Sequence, residues 1–303
     1  MGNVKTGYVA ILGKPNVGKS TLMNTLLGQK LSIITNKPQT TRKRILGILT
    51  EENYQIIFLD TPGILEPAYL LHEKMMEHVE NSVKDADIVI LMLDINADPD
   101  GIQTLQDDYV YKFLLKTKKT KILLLNKVDL TSQEHTKLLI HKLEASASFK
   151  EIIPISASLG FNVSSVLSAI LEYLPEGPKY YPDDIVADAN ERFFVSEIIR
   201  EKIFELYKEE IPYSCEVVVE DFKEREDSKY FIHGEIVVER ETQKAILIGK
   251  QGAAIKRLGE TARHDVEDFL QHPVYLELRV KVREKWRSDE NMLKSFGYTP
   301  DKD

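Results

Sequence analysis

Apolar positions in the first 175 residues gather in continuous runs instead of alternating with polar ones: 8–12, 56–59 (Ile-Ile-Phe-Leu), 88–93, 122–125 and 152–155. Runs of this kind suit parallel strands covered on both faces. Amphipathic stretches separate them, and segment 45–50 predicts a further edge strand, antiparallel to its neighbour. The runs end directly in polar or glycine-bearing segments, among them at Gly13, Asp60, Asn126 and Ser156. Ligands of open α/β sheets bind beyond the carboxyl ends of the strands, so these residues should meet on one rim. The pattern predicts an α/β domain with a doubly wound, mostly parallel sheet.

The order then changes. Leu174 to Pro182 holds three prolines and a glycine in nine residues, which predicts a linker that neither continues a helix nor pairs in a sheet. Beyond it the periodicity predicts a helix over 191–210, strands over 216–222 and 230–238, and a short helix ending near Ile248. A longer helix over 253–270 and a strand over 274–282 follow. This α-β-β-α-α-β order predicts a smaller α+β layer with its helices on one sheet face. The expected division is 1–175, a linker at 176–189, and 190–303.

The length of 303 residues is sufficient for two cores, and 43% hydrophobic with 29% charged residues is ordinary for a soluble protein. No apolar run approaches the roughly 20 residues of a membrane span, and no secretory leader is expected. The single cysteine, Cys215, excludes an internal disulfide framework and fits the cytosol. Net charge is −8, concentrated after residue 178, where 21 basic residues face 28 acidic ones. Any nucleic-acid contact must therefore be local.

Gly13-Lys14-Pro15-Asn16-Val17-Gly18-Lys19-Ser20 is a full GxxxxGK[ST] match between a strand-like run and a helix-compatible stretch starting at Thr21. In such a loop, backbone N–H groups and the positive helix end surround phosphates. Lys19 would reach the outer two, and the Ser20 hydroxyl would hold Mg²⁺. Asn126-Lys127-Val128-Asp129 is an NKxD match at the end of a later strand. The Asp129 carboxylate can accept hydrogen bonds from guanine N1–H and its amino group, which adenine does not offer there. The Lys127 stem can cover the base, Asn126 can tie this loop to the phosphate loop, and a backbone N–H near Ser156-Ala157 could meet guanine O6. GTP or GDP is the expected ligand.

Asp60-Thr61-Pro62-Gly63 stands where the γ-phosphate should be sensed, with Asp60 on Mg²⁺ and Gly63 N–H on the phosphate. In the polar loop 35–44, Thr41 is the candidate switch hydroxyl for Mg²⁺, with Thr40 as the alternative. Loss of the γ-phosphate would release both loops. Asn16, Lys19, Thr41 and Gly63 form the candidate catalytic set. Ile64 follows where signalling GTPases carry a water-orienting glutamine. Hydrolysis is therefore expected to be slow, with help from a cation, a carbonyl or a partner.

A second motif, Ile248-Gly249-Lys250-Gln251-Gly252, sets a GxxG turn between two helices, the KH signature for single-stranded RNA. Lys256 and Arg257 lie close by, and Arg279, Lys281 and Arg283 alternate with apolar residues on the last strand, so they share one face. Lys285 and Arg287 extend this basic run around Trp286.

Taken together, these motifs, Gln39-Thr40-Thr41-Arg42, Tyr173 to Gly177 and Lys294 to Tyr298 resemble the Era GTPases across essentially the whole chain. The resemblance implies a GTPase with a type II KH domain that binds the 3′ end of small-subunit (16S) rRNA and assists small-subunit maturation. It implies RNA affinity favoured by GTP and peripheral contact with the inner membrane, and a monomer is expected. Asn16 resembles the asparagine that positions potassium in related GTPases, which leaves K⁺ open beside Mg²⁺. Two rival readings are weaker. A tRNA-modification GTPase would carry a C-terminal reactive cysteine, whereas Cys215 sits in a strand-like run. A bare RNA-binding module would not need complete phosphate, magnesium and base motifs.

Overall fold

The structure is a computed structural model and describes residues 4–35, 37–115, 117–144, 149–225 and 228–298. The N-terminal part runs β1 (Val4–Gly13), α1 (Lys19–Leu27), β2 (Ile45–Thr50), β3 (Tyr54–Asp60), α2 (Leu70–Asp85), β4 (Ile88–Asp94), α3 (Ile102–Leu105) and α4 (Asp108–Leu115). It continues through β5 (Thr120–Asn126), α5 (Gln133–Glu144), β6 (Glu151–Pro154), α6 (Val163–Tyr173) and β7 (Glu176–Gly177). The sheet order is β2-β3-β1-β4-β5-β6, with β2 antiparallel to β3 and the other pairs along it parallel. This is the expected mostly parallel sheet, with its antiparallel edge.

Why the runs are continuous is visible in the packing. Along β1, Ala10 and Leu12 face one core with Met75 and Val79 of α2, while Val9 and Ile11 face a second core with Leu22 of α1 and Ile170 of α6. Residues 88–93 of β4 divide between the same two cores, and all are 0% exposed. A strand buried on both faces has no polar position to alternate with.

The C-terminal part runs α7 (Glu191–Leu206), α8 (Ile211–Ser214), β8 (Glu216–Lys223), β9 (Tyr230–Val238), α9 (Glu241–Ile248), α10 (Ala253–Leu270), β10 (Val274–Val282) and α11 (Glu290–Ser295). Its sheet order is β10-β9-β8, with β10 parallel and β8 antiparallel to β9. Ile199 and Ile203 of α7 and Leu258 and Val266 of α10 pack with Ile232 and Ile236 of the sheet. The predicted helix over 191–210 ends at Leu206: Tyr207 is extended and Glu209 is left-handed (φ 53°), turning the chain ahead of Pro212.

Two expectations about the connections need correction. Glu176 and Gly177 do pair, with Lys5 and Val4 of β1, because the flanking prolines lie outside the two ladder positions. The chain then stays fastened. Gln55 Oε1 accepts from the N–H groups of Tyr180 (2.7 Å) and Tyr181 (2.9 Å), and Ile48 N–H donates to Val186 O (2.9 Å). Trp286, read in sequence as the middle of a basic run, is 0% exposed. Its Nε1 donates to Ser214 O (3.0 Å), and with Leu293 and Tyr298 it joins the core that contains Met75 and Val79. Burying an indole of this size stabilises by on the order of 5 kcal/mol. The tail is thus a wedge between the second sheet and α2.

His72 of α2 lies at this junction, its ring 3.9 Å from that of Tyr69. Burial, with Arg42 and Arg287 nearby, lowers its pKa from 6.5 to about 4. The folded state therefore resists a proton that the unfolded chain accepts, so stability is lost as pH falls from about 6.5 through about 4. Thermal unfolding of His72→Phe should show a shallower fall over that window than the unsubstituted chain.

Candidate active site and nucleic-acid face

The phosphate loop bends through left-handed backbone at Asn16 (φ 63°) and Gly18 (φ 100°). A Cβ on Gly18 would lie 2.4 Å from Asn126 Nδ2, so only glycine lets the base loop close on it. Asn126 then joins three loops: Nδ2 donates to Val17 O (2.7 Å) and Oδ1 accepts from Ala157 N–H (2.9 Å). Gly63 is required for another reason, since its Cβ would stand 2.8 Å from Pro15 Cα. The segment after β3 thereby lies directly against the phosphate loop, where Ile64 N–H donates to Gly13 O (3.0 Å).

Lys19 is buried, with Nζ donating to Gly13 O (3.2 Å) and Lys14 O (3.1 Å). Burial lowers its pKa to about 8, against the attraction of Asp60. Ser20 Oγ donates to Asp60 Oδ2 (2.7 Å) and lies 3.0 Å from Thr41 Oγ1. Asp60 is 0% exposed, and among the described residues its Oδ1 has no hydrogen-bond partner. Burial raises the Asp60 pKa despite Lys19 and the neighbouring hydroxyls. Three converging oxygens, one carboxylate oxygen without a partner and no soft ligand fit a hard divalent cation such as Mg²⁺. The Thr40 hydroxyl is not part of this cluster and bonds Thr35 Oγ1 (2.7 Å) and Lys37 O (2.8 Å).

These groups border a cavity of about 450 Å³ lined by Pro15, Asn16, Gly18 to Thr21, Thr40, Thr41, Gly63, Asn126, Lys127, Asp129 and Ala157 among the candidates. Gly13, Lys14, Val17, Asp60, Thr61, Pro62 and Ser156 do not line it. Lys14 reaches Gln103 O (2.7 Å) and Asp107 (3.0 Å), Thr61 Oγ1 donates to Ile11 O (2.7 Å), and Val17 faces the core. The N–H groups of Ser156 and Ala157 are committed to Phe161 O and Asn126 Oδ1. Ser158, Ile33, Ile34, Thr35, Gln39 and Leu130 also line the cavity and were missed by sequence reasoning. For Ser158 the available signal was its position directly after the Ser156-Ala157 pair.

In the second unit, Ile248 ends α9 and Gly249 to Gly252 form the turn into α10. Gly249 (φ 71°) would set a Cβ 2.6 Å from the Ala254 Cβ, whereas Gly252 (φ 78°) faces open space. Lys250, Gln251, Lys256 and Arg257 are exposed around it. A groove of about 580 Å³ runs between α10 and β10, with Lys229, Lys256 and Arg263 beside Glu260, Glu277 and Tyr275 in its lining. Tyr275 stacks on Phe231 at 5.9 Å, an aromatic surface with no motif to announce it. The basic stripe is partly neutralised. Lys281 pairs with Glu235 and Arg279 with Glu277 (2.8 Å), while Arg283 stays exposed. Arg287 faces Glu239 and the Tyr69 ring of the N-terminal unit.

A GxxxxGK[ST] loop, the Ser20–Thr41–Asp60 oxygen cluster and an NKxD loop on a parallel sheet, followed by a GxxG turn on a three-stranded sheet, define a P-loop GTPase joined to a KH fold. Residues 8–127 match the family described as 50S ribosome-binding GTPase, and residues 210–287 match the KH domain family. The chain is 43% identical over 294 residues to GTPase Era of Clostridium botulinum, spanning 97% of this chain and 98% of that protein. It is 48% identical over 297 residues to the chloroplastic GTPase ERA-like of Oryza sativa subsp. japonica, spanning 98% and 70%. A variant Era from Aquifex aeolicus bound to GDP and aluminium fluoride superposes with TM-score 0.89 at 40% identity, covering 98% of this chain and 100% of that one. An Era complex with MgGDPNP and nucleotides 1506–1542 of 16S ribosomal RNA gives TM-score 0.90 at 40% identity, with the same coverage. The chain belongs to the Era GTPase family, and its activity is GTP hydrolysis. Among the described residues no helix is long and apolar enough to cross a membrane.

Proposed function

We propose that this GTPase works as a nucleotide-controlled RNA-binding factor in small ribosomal subunit assembly, taking the 3′ end of 16S rRNA in its KH groove. The observation that carries it is the presence, in one chain, of the Ser20–Thr41–Asp60 oxygen cluster and an open GxxG turn with exposed Lys250, Lys256 and Arg257 around it. The relative holding MgGDPNP and 16S rRNA nucleotides supports the same reading. Ser20, Thr41 and Asp60 would hold Mg²⁺, which supplies charge neutralisation on the phosphates. Lys19 and the loop amides bind and orient the triphosphate, Gly63 N–H faces its terminal phosphate, and Asp129 selects guanine. Asn16 is the candidate contact for K⁺. Lys250, Lys256 and Arg257 meet the RNA backbone at the GxxG turn. The division into 1–175, 176–189 and 190–303, a monomeric state, and a cytosolic location with peripheral contact at the inner membrane belong to this reading.

The test is a titration of the protein into labelled single-stranded RNA from the 3′ end of 16S rRNA, with a non-hydrolysable GTP analogue and again with GDP. Tighter binding with the analogue is expected, and equal affinity in both states would refute the coupling. Gly252→Asp adds a charge and side chain at the backbone approach and should weaken RNA binding about tenfold or more. GTP affinity should be unchanged, and unaltered RNA affinity would move the RNA site off the turn.

A further inference from the structure

We infer that Arg42 is a positioning residue for GTP hydrolysis: seated inside the KH unit, it holds the adjacent Thr41 hydroxyl against the metal side of the nucleotide cavity. This rests on the reading of Ser20, Thr41 and Asp60 as the magnesium ligands.

Arg42 is 1% exposed although it belongs to a polar loop. Nη1 donates to Cys215 O (2.6 Å) and Glu216 Oε2 (3.3 Å), and Nη2 donates to Pro212 O (2.8 Å). Glu216 is equally buried, and burial alone would raise its pKa. Lys43, Arg42 and Arg200 outweigh that and hold it below the usual carboxylate range. Tyr298 OH donates to the same oxygen (2.6 Å). At the other end of the loop, Glu201 accepts from Ile34 N–H (3.0 Å) and pairs with Lys30 (2.6 Å), while Lys37 reaches the carbonyls of Phe204 and Tyr207. The cavity-lining residues 33–35 and 39–41 therefore hang between two anchorages on the KH unit.

Consecutive Cα atoms are about 3.8 Å apart, so the seated Arg42 tethers the backbone one residue from Thr41, and loss of the seat frees the segment that carries the Thr41 hydroxyl. Removing one member of a buried pair leaves the other charged and uncompensated, which gives the seat a single preferred occupant. The KH unit thereby acts as a brace for the switch loop, and the strength of metal coordination by Thr41 depends on whether the two units are docked.

The experiment uses the full chain with Arg42→Gln, and Tyr298→Phe as a milder change that keeps Arg42 and Glu216. Thermal unfolding confirms that each variant is folded. Steady-state kinetics gives kcat and KM for GTP over a range of Mg²⁺ concentrations, and a separate titration gives GDP affinity. Arg42→Gln should lower kcat about tenfold or more, because small misplacements of a catalytic group are costly. It should raise the Mg²⁺ concentration for half-maximal rate several-fold and leave GDP affinity within about twofold, since GDP does not call on Thr41. Tyr298→Phe should move kcat and Mg²⁺ dependence in the same direction by less. Wild-type kcat and Mg²⁺ dependence in Arg42→Gln would overturn the proposal, as would loss of GDP affinity in step with kcat. Failure of the underlying metal reading looks different: Thr41→Ala would then hydrolyse GTP normally.

Discussion

Lys19→Ala is expected to remove measurable GTP binding while leaving the protein folded and its KH unit intact. Among the described residues lining the cavity, only Lys19 and Lys127 are cationic, and Lys127 is already held by Asp94 at 2.6 Å. The triphosphate would lose its charge-assisted partner inside a buried loop, a loss of at least about 3 kcal/mol, or roughly a hundredfold in affinity. Calorimetric titration should show no GTP heat at concentrations that saturate the unsubstituted protein. The folded state should not suffer. Burial depresses the Lys19 pKa to about 8, so below that pH its charge costs stability in the nucleotide-free protein. As pH rises from 8 toward the ordinary lysine value of 10.5, the folded state sheds this proton before the unfolded chain does. Stability should therefore rise over that window in the nucleotide-free protein, and this rise should be missing in Lys19→Ala. A variant that still binds GTP normally would remove the phosphate-site assignment.

Asp129→Ala is expected to abolish the preference for guanine over adenine. The preceding Lys127 is left-handed (φ 67°), and this twist brings Asp129 to the mouth of the cavity. There its carboxylate can take two hydrogen bonds from guanine. A site built to bond a polar group discriminates by about 10⁴ or more, because the wrong ligand leaves its own groups unpaired. Competition of GTP and ATP against labelled GDP should show a collapsed ratio, with GTP weakened about a hundredfold and ATP, no longer facing an unpaired carboxylate, strengthened by about as much. An intact ratio would assign base selection to Ser158 and its neighbours.

Both sites depend on sequence-local chemistry, and that is why they were legible. The glycine spacing of residues 13–20, the asparagine that closes β5 and the turn at 249–252 each carry their geometry within a few residues. The sheet was legible because residues such as Ala10 and Val9 face two cores in alternation, which leaves an unbroken apolar run. Contacts made across the chain were not legible. Arg42 finds Glu216 at a separation of 174 residues, and nothing around Arg42 distinguishes it from an exposed loop cation. Trp286 stands between Lys285 and Arg287, so its neighbours point to the surface while its ring fills a core. Alternation on β10 placed Arg279 and Lys281 on one face but could not say that Glu235, on the adjacent strand, would neutralise Lys281. Glu176 and Gly177 were hidden by proline statistics, which describe single residues and not the two positions between them.

The fastening of residues 176–187 to the first sheet determines how far apart the two units can wander. Ala187 still bridges to Gly47, and Asn190 already caps α7 by accepting from Phe193 N–H (2.9 Å). Only Asp188 and Ala189 lie between them. Short tethers of this kind hold their partners at an effective concentration in the millimolar range, and the value falls roughly as the −3/2 power of tether length. A brace whose Kd between separate molecules lies below that concentration is therefore occupied most of the time within one chain. Its occupancy can be tuned by adding flexible residues at 188–189, with every contact in the interface left as it is.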